Sequence, residues 1–293
     1  MNNVGLTIIG EKGLRALEFV DATKPALLGR IAYVVVGEDA NVENDYSEQI
    51  RSFCLQNNKK TYSREKFNCD EPNSDYIIAI GWKWLIDIER WKVVVLHDSL
   101  LPLYRGFNPL VTALIEGDSK IGVTAIQATD EVDKGPIYFQ RSTGINYPIK
   151  IQEAIRRVSG LYGEILVDLL SADLSSIRKS VQNEENASYS LWRNYEDYFI
   201  DWTQSAERIR RFINAVGSPY LGAKTNYNGK KITVLDAEEV KDHKIINRDA
   251  GKIFSIKNNK PIVVCGEGLL RIDRALDEEG KAVFFKNLRV RMK

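Results

Sequence analysis

The chain has 293 residues, 41 Lys and Arg against 40 Asp and Glu, and 44% apolar residues, the balance of a soluble globular protein of one large or two ordinary domains. No apolar run approaches the ~20 residues that cross a bilayer, and the start MNNVGLTIIG lacks the parts of a secretion signal. Cys54, Cys69 and Cys265 are odd in number and without CxxC spacing, so neither a disulfide framework nor a zinc site is indicated, and a reduced cytoplasmic protein without a metal is expected.

The predicted elements follow in chain order. GLTIIGEKGLRALEFV reads as a buried strand, a turn at Gly10 and Gly13, and a helix. Those two glycines do not complete GxGxxG, so they carry no dinucleotide argument. IAYVVVG (31–37), YIIAIG (76–81) and KVVVLH (92–97) are further buried strands, with helical patterns such as YSEQIRSFCLQNN between them. Continuous Val and Ile runs alternating with helices predict an α/β fold, a mostly parallel sheet covered on both faces. IGVTAIQA (121–128) adds a strand, and 151–172 carries the strongest amphipathic helical pattern.

The texture then changes. RKSVQNEENASYSLWRNYEDYFIDW is polar and aromatic without periodicity, as a linker or arm is. After a helix at SAERIRRFINAV, short strands broken by Asn and Gly predict a small β-barrel or OB-like domain. The expected organisation is 1–185, an arm at 186–205, and 206–293. Charge is uneven: 20 Lys and Arg face 14 Asp and Glu from Asn186 onward, and 21 face 26 before it. A modestly basic C-terminal part suits a phosphate-bearing partner, although scattered lysines on a solvated face give the same excess.

In open α/β sheets ligands bind at the carboxyl ends of the strands. His97, one of two histidines in the chain, stands at such an end; a histidine satisfied by backbone at a strand edge is the plain alternative. Asp133 follows the next strand in ATDEVDKGPIY, where Asp-Lys-Gly taken alone is a turn. Together the two can form a carboxylate–imidazole pair suited to proton transfer during acyl transfer.

These stretches carry a resemblance. HDSLLPLYRG, followed by GDSKIGVTAIQATDEVDKGPI, is similar to the folate-dependent formyltransferases, which act on methionyl-tRNA, glycinamide ribonucleotide or nucleotide sugars. Their loop His-x-Ser-Leu-Leu-Pro-x-x-Arg-Gly is matched by His97, Ser99, Leu100, Leu101, Pro102, Arg105 and Gly106, their Gly-Val-Thr strand by Gly122, Val123 and Thr124, and their Asp-x-Gly by Asp133 and Gly135. Residues from IDWTQSAERIRRF onward resemble the family's OB-like C-terminal domain, so nearly the whole chain is covered.

The resemblance implies a Rossmann-like formyltransferase domain and N10-formyltetrahydrofolate as co-substrate. It implies that His97 stabilises the tetrahedral intermediate and that Asp133 orients the histidine and assists proton movement. It places the folate cleft beside Ile80, Gly81, Trp82, Lys83, Trp84 and Leu85, with Lys83 near the acidic tail, and opposite Ala128, Asp130 and Val132. Ser99, Tyr104, Arg105, Asn108 and Arg193 are the candidate acceptor contacts, Arg193 as a phosphate or sugar contact from the arm.

One departure matters. The family usually writes Asn-x-His, and here Val95 stands where the asparagine would. Valine donates no hydrogen bond, and losing one oxyanion donor costs roughly 10²–10³ in rate. Another donor, with Ser99 and amides of the 98–101 loop as candidates, is preferred over a slow enzyme or a non-catalytic folate binder.

For the acceptor, the loop VVGEDANVENDYSEQ carries Glu38, Asp39, Glu43, Asp45 and Glu48 where the transfer-RNA enzymes carry a basic loop. Five carboxylates repel a phosphate backbone, and SYSLWRNYEDYFIDW resembles enzymes acting on nucleotide-linked 4-amino sugars. An activated amino sugar, nucleotide-linked or pseudaminic-type, is therefore the expected acceptor and nucleic acid is disfavoured. Formylation of initiator methionyl-tRNA, folate binding without turnover, and hydrolysis of the cofactor stay open. A homodimer is admitted on general grounds, but nothing in the sequence selects it.

Overall fold

The computed structural model describes residues 3–40, 42, 44–67 and 74–293; Glu43 and Cys69 lie outside them. Contacts divide the chain into two units. One comprises 1–110, 119–145 and 153–191, the other 111–118, 146–152 and 192–293. The division falls inside the expected 186–205 arm, and two short earlier segments go with the second unit.

In chain order come β1 (Val4–Ile8), α1 (Gly10–Thr23), β2 (Ile31–Val36), α2 (Ser47–Gln56), β3 (Lys60–Ser63), α3 (Arg64–Phe67), β4 (Tyr76–Ile80) and β5 (Lys92–His97). Then follow β6 (Arg105–Gly106), α4 (Pro109–Glu116), β7 (Lys120–Gln127), β8 (Ile137–Gly144), α5 (Ile151–Ser171) and β9 (Tyr189–Ser190). Seven strands pair in the order β3-β2-β1-β4-β5-β7-β8. The pairings from β3 through β5 are parallel, and β7 and β8 join antiparallel. The sheet is thus mixed and mostly parallel, an α/β fold. β1 and β4 are buried at every position, which is why both read as unbroken apolar runs. Two strands were not legible: KTYS is short and polar, and IYFQRSTG, at the sheet's edge, has Tyr138 as its one buried residue and otherwise alternates half-buried and exposed positions from Phe139 onward.

The second unit holds α6 (Ala206–Ala215), capped where the Ser205 hydroxyl accepts the Arg208 N–H at 3.2 Å. Its β10 (Ala223–Tyr227), β11 (Lys230–Val240), β12 (Ile253–Lys257), β13 (Lys260–Val264) and β14 (Leu269–Asp277) form one antiparallel sheet, ordered β10-β11-β14-β13-β12. Two of its hairpins close through two-residue loops, Asn228-Gly229 and Asn258-Asn259, with positive φ at every loop position, as a type I′ turn requires. Cys54 and Cys265 are free and buried. Burial pushes their thiols up to about 11 and about 12, which makes both packing residues rather than nucleophiles.

The registers align Val35, Thr7, Ala79, Val95 and Ile126 in one row across β2, β1, β4, β5 and β7. Thr7 is the polar member of that row, fully buried, and its hydroxyl finds no hydrogen-bond partner among the described residues. Replacing an unsatisfied buried hydroxyl by an isosteric methyl removes a desolvation penalty. Thr7→Val is therefore expected to raise the unfolding free energy by about 1 kcal/mol in a denaturant titration; a loss of that size would mean that the hydroxyl is satisfied in solution.

Candidate active site

Parallel pairing sets the carboxyl ends of β1, β2, β4 and β5 along one edge, and the strand order reverses at β1, where a crevice is expected. His97 ends β5 at this edge, opposite Thr124 of β7. Its ring is 8% exposed. Nε2 donates to the Tyr104 carbonyl at 2.8 Å, which fixes that nitrogen as the N–H, and Nδ1 lies 3.5 Å from Asp133 Oδ2. The expected carboxylate–imidazole pair thus exists at ion-pair distance. The carbonyl contact on the far nitrogen was not expected; Tyr104 makes it with its backbone in the left-handed region, φ 58.

Asp133 is itself held in the left-handed region, φ 56, by contacts from two directions. Its Oδ2 accepts the Gly106 N–H at 2.8 Å. Gln182 Nε2 donates to the carbonyls of Asp133 and Gly135 at 2.7 and 2.8 Å. The Gln182 Oε1 in turn accepts from Arg105 Nε and Nη2 at 3.1 and 2.9 Å. Arg105 completes a bidentate pair with Glu184 at 2.6 and 2.8 Å. The two motif glycines are required by close approach: a Cβ on Gly135 would stand 1.7 Å from the Gln127 carbonyl oxygen, and one on Gly106 (φ +99) 2.6 Å from that of Ser190.

The loop between His97 and Arg105 is pinned internally. Ser99 Oγ donates to the Leu103 carbonyl at 2.6 Å, and Thr124 Oγ1 donates to the Ser99 carbonyl at 2.6 Å. Thr124 Oγ1 also accepts from Leu101 N and Gln140 Nε2. Tyr104 N donates to Ser188 Oγ at 2.9 Å. Asp98 accepts from Lys12 and from the Tyr162 hydroxyl.

This geometry corrects two expectations. Arg105 was expected to face the acceptor, but its side chain has 0% exposure and both edges of its guanidinium are spent on Gln182 and Glu184. Ser99 was expected at the acceptor or as the missing donor, but it is buried and its hydroxyl and N–H are both bonded within the loop. The Leu101 amide is likewise taken. Tyr104 and Asn108 are half-buried beside the Arg105-Gly106 turn, and Arg193 belongs to the second unit.

On the expected folate side, Trp82, Ile86, Ile88, Val95 and Ala128 all pack, half-buried, against the cluster of Tyr33, Val35, Ile77 and Val93. Trp82 and Trp84 meet edge to face with centroids 4.8 Å apart, over Gly37, where a Cβ would stand 2.8 Å from Trp84. Gly81 turns the chain after β4 at φ +64. Leu85 is 102% and Val132 64% exposed, and Asp130 is also exposed. Lys83, expected at an acidic tail, is paired with Asp39.

Sequence reasoning missed Gln182, Glu184 and Ser188. They sit in QNEENAS, a polar stretch with no periodicity, and nothing short of the fold shows that it lies against the motif loops. Hydrogen bonds from Arg105 hold the Glu184 carboxyl below its ordinary range. A folded-state pKa that is depressed contributes above the unfolded value and is lost as pH falls through the folded one. The Arg105–Glu184 pair is therefore expected to hold from neutral into mild acid and to open only below the ordinary carboxylate range in an NMR titration of the Glu184 carboxyl, while the Gly106 amide, which donates to Asp133, is protected from hydrogen exchange at neutral pH. Gln182→Leu is expected to cost about 2 kcal/mol of stability and to remove that protection at neutral pH; an unchanged Gly106 exchange rate would show that the network does not position Asp133.

Known proteins share this arrangement of sequence and fold. The formyl transferase family profile matches residues 24–170, and its C-terminal domain profile, "Formyl transferase, C-terminal domain", matches 193–288. A methionyl-tRNA formyltransferase of Ehrlichia ruminantium is 30% identical over 224 residues, covering 75% of this chain and 71% of that protein. Among solved structures, an N-formyltransferase of Helicobacter canadensis in complex with folinic acid and dTDP-3-aminofucose superposes with a TM-score of 0.66 at 14% identity, over 93% of this chain and 99% of that one. HypX of Aquifex aeolicus gives 0.60 at 17% identity over 96% of this chain; the chain spans 45% of its length. At these identities the structural likenesses speak for the fold. The profile matches half of the chain and the Ehrlichia enzyme reaches 30% identity across three quarters of it, so the chain belongs to the formyl transferase family, enzymes that draw on formyltetrahydrofolate.

Proposed function

We propose that this chain transfers the formyl group of N10-formyltetrahydrofolate to the amine of an activated amino sugar, nucleotide-linked or pseudaminic-type. The observation that carries the acceptor is the rim after β2. Glu38 and Glu48 pair with Arg51, and Asp39 pairs with Lys83. Asp45 accepts from the Ser47 and Asp39 amides, which lower its pKa against the opposing effect of burial. Arg51 and Lys83 are thus both engaged with carboxylates. An RNA acceptor stem lays a run of phosphates that needs several free cations, whereas a sugar nucleotide brings one diphosphate.

The residues fit the co-substrate. A flat pterin needs apolar walls and backbone partners, and half-buried Trp82, Val95 and Ala128 with exposed Leu85 and Val132 supply apolar surface on both sides of the β5 end. Gly81, Trp82, Trp84 and Leu85 would hold it from one side, Ile80 lying behind them with its side chain fully buried, and Ala128, Asp130 and Val132 from the other. Lys83 reaches the acidic tail only by leaving Asp39. The bound folate supplies the one-carbon unit. His97 stabilises the tetrahedral intermediate, Asp133 keeps the ring in place and assists the departure of the acceptor amine's proton, and Tyr104 and Asn108 border the acceptor. With Val95 apolar and the Ser99 hydroxyl and the Ser99 and Leu101 amides spent, the His97 Nε2–H, exchanged from the Tyr104 carbonyl, is the donor that β5 itself brings to a developing oxyanion.

The test is mass spectrometry of nucleotide-linked amino sugars and free amino-sugar acids incubated with the protein and N10-formyltetrahydrofolate. A formyl mass gain on one acceptor is expected, reduced about 10²–10³-fold in Asp133→Ala; no gain on any member of the panel would contradict the reading. Val95→Asn is expected to leave turnover unchanged or lower, and activity that appears only in that variant would instead favour a folate binder without turnover. The second reading, methionyl-tRNA, is favoured by the name of the 30% identical relative. It predicts acceptor binding that weakens steeply with salt.

A further inference from the structure

A buried polar cluster stands at the same end of β5 as the His97 ring and touches the chain on both sides of that residue. Tyr162 of α5 is 1% exposed. Its hydroxyl donates to Asp98 Oδ1 and lies 3.2 Å from the Leu96 carbonyl oxygen. A phenol carries one proton; the carboxylate, being charged, is the stronger acceptor, and the carbonyl takes the weaker share of a bifurcated contact. Lys12, near the start of α1, pairs with the other oxygen of the same carboxylate, Oδ2.

Two helices far apart in sequence thus converge on one side chain. Gly163, next to Tyr162, permits the approach: a Cβ there would stand 2.4 Å from the Phe19 ring of α1. The Lys12 and Asp98 side chains are 18% and 13% exposed, so the cluster is largely out of water, where its hydrogen bonds are stronger than at the surface. Asp133 and the Tyr104 carbonyl hold the His97 ring; Tyr162, through Leu96 and Asp98, holds the main chain on either side of it.

We infer that Tyr162 is a positioning residue for formyl transfer, which together with Lys12 and Asp98 fixes where β5 delivers the His97 imidazole. His97 is the last residue of its strand, so the ladder constrains it from one side only and the 98–101 loop sets the other. A small rotation of the flanking peptides is magnified at the ring nitrogens. Of the ring's two contacts, the one to Asp133 is already long at 3.5 Å, and it is the first that a drift would lose. A displacement of about 1 Å at a catalytic group costs on the order of 10² in rate. The inference rests on His97 acting at the formyl carbon, as proposed above, and not on which amine receives the formyl group.

The chain has two histidines, so isotopic labelling of histidine nitrogen in the full chain reads the His97 ring by NMR, with His243 of the second unit as internal reference. Tyr162→Phe, which removes only the oxygen, is expected to move the His97 ring resonances and leave those of His243 in place. Asp98→Ala, which leaves α5 intact, is expected to move them likewise. Ser159→Ala removes a buried hydroxyl that α5 uses on its own Ile155 carbonyl at 2.7 Å and is expected to move neither. In turnover, Tyr162→Phe is expected to lower kcat about tenfold with KM unchanged. The double variant Tyr162→Phe/Asp98→Ala should be no slower than Asp98→Ala, because the tyrosine acts through the carboxylate. His97 resonances that stay in place in both variants, an equal shift in Ser159→Ala, a loss carried by KM, or losses that multiply in the double variant would each overturn the inference. A wild type that formylates no acceptor would contradict the proposed function instead, and the ring resonances would still decide this inference.

Discussion

Arg105 ties together three stretches of chain that the sequence keeps far apart. Its fully buried guanidinium binds Gln182 along one edge and Glu184 along the other, while its neighbour Gly106 donates to Asp133 and Gln182 holds the backbone on either side of Lys134. The loop that carries the Tyr104 carbonyl and the loop that carries the Asp133 carboxylate are thereby joined, and His97 sits between those two acceptors. A lysine cannot replace this arginine, because a single ammonium cannot serve two partners along a planar fork. Glu184 is 61% exposed, so solvent screens its half of the pair, and Gln182, buried, bears more of the load.

Much of the fold was legible because burial on both faces leaves an unmistakable imprint. β1, β2, β4 and β5 are Val and Ile runs, α5 presents apolar residues at helical spacing, and Asn-Gly marks a hairpin. β3 and β8 were not legible, because edge strands with one wet face need no apolar continuity. In the site, the positions of His97 and Asp133 came through a short motif with fixed spacing. Their supports did not: a motif arginine looks the same whether it grips a ligand or a neighbouring glutamate, and Gln182 lies in a stretch whose composition says only that it is polar.

The acidic rim makes the same point for charge. Read as a string, the loop after β2 is a row of bare carboxylates. Folded, Arg51 and Lys83 come back to pair with three of them, so the rim repels a phosphate backbone less than the string implies, yet both of those cations are already spent on carboxylates. Val95 is the other place where the chain departs from its family. Its row across the sheet is apolar apart from Thr7, two strands away and so about 10 Å off, so no side chain beside it restores the missing amide. His97 is the proton-bearing side chain that β5 itself carries at this end.

The most direct test of the account is a crystal structure of the protein with 5-formyltetrahydrofolate, which is stable enough to be seen with its formyl group in place. The account predicts the pterin between the 80–85 and 128–132 segments, with the formyl oxygen within hydrogen-bonding reach of His97 and the formyl carbon against Val95. A folate bound elsewhere, or one whose formyl group points away from His97 with the Tyr104 contact intact, would contradict it.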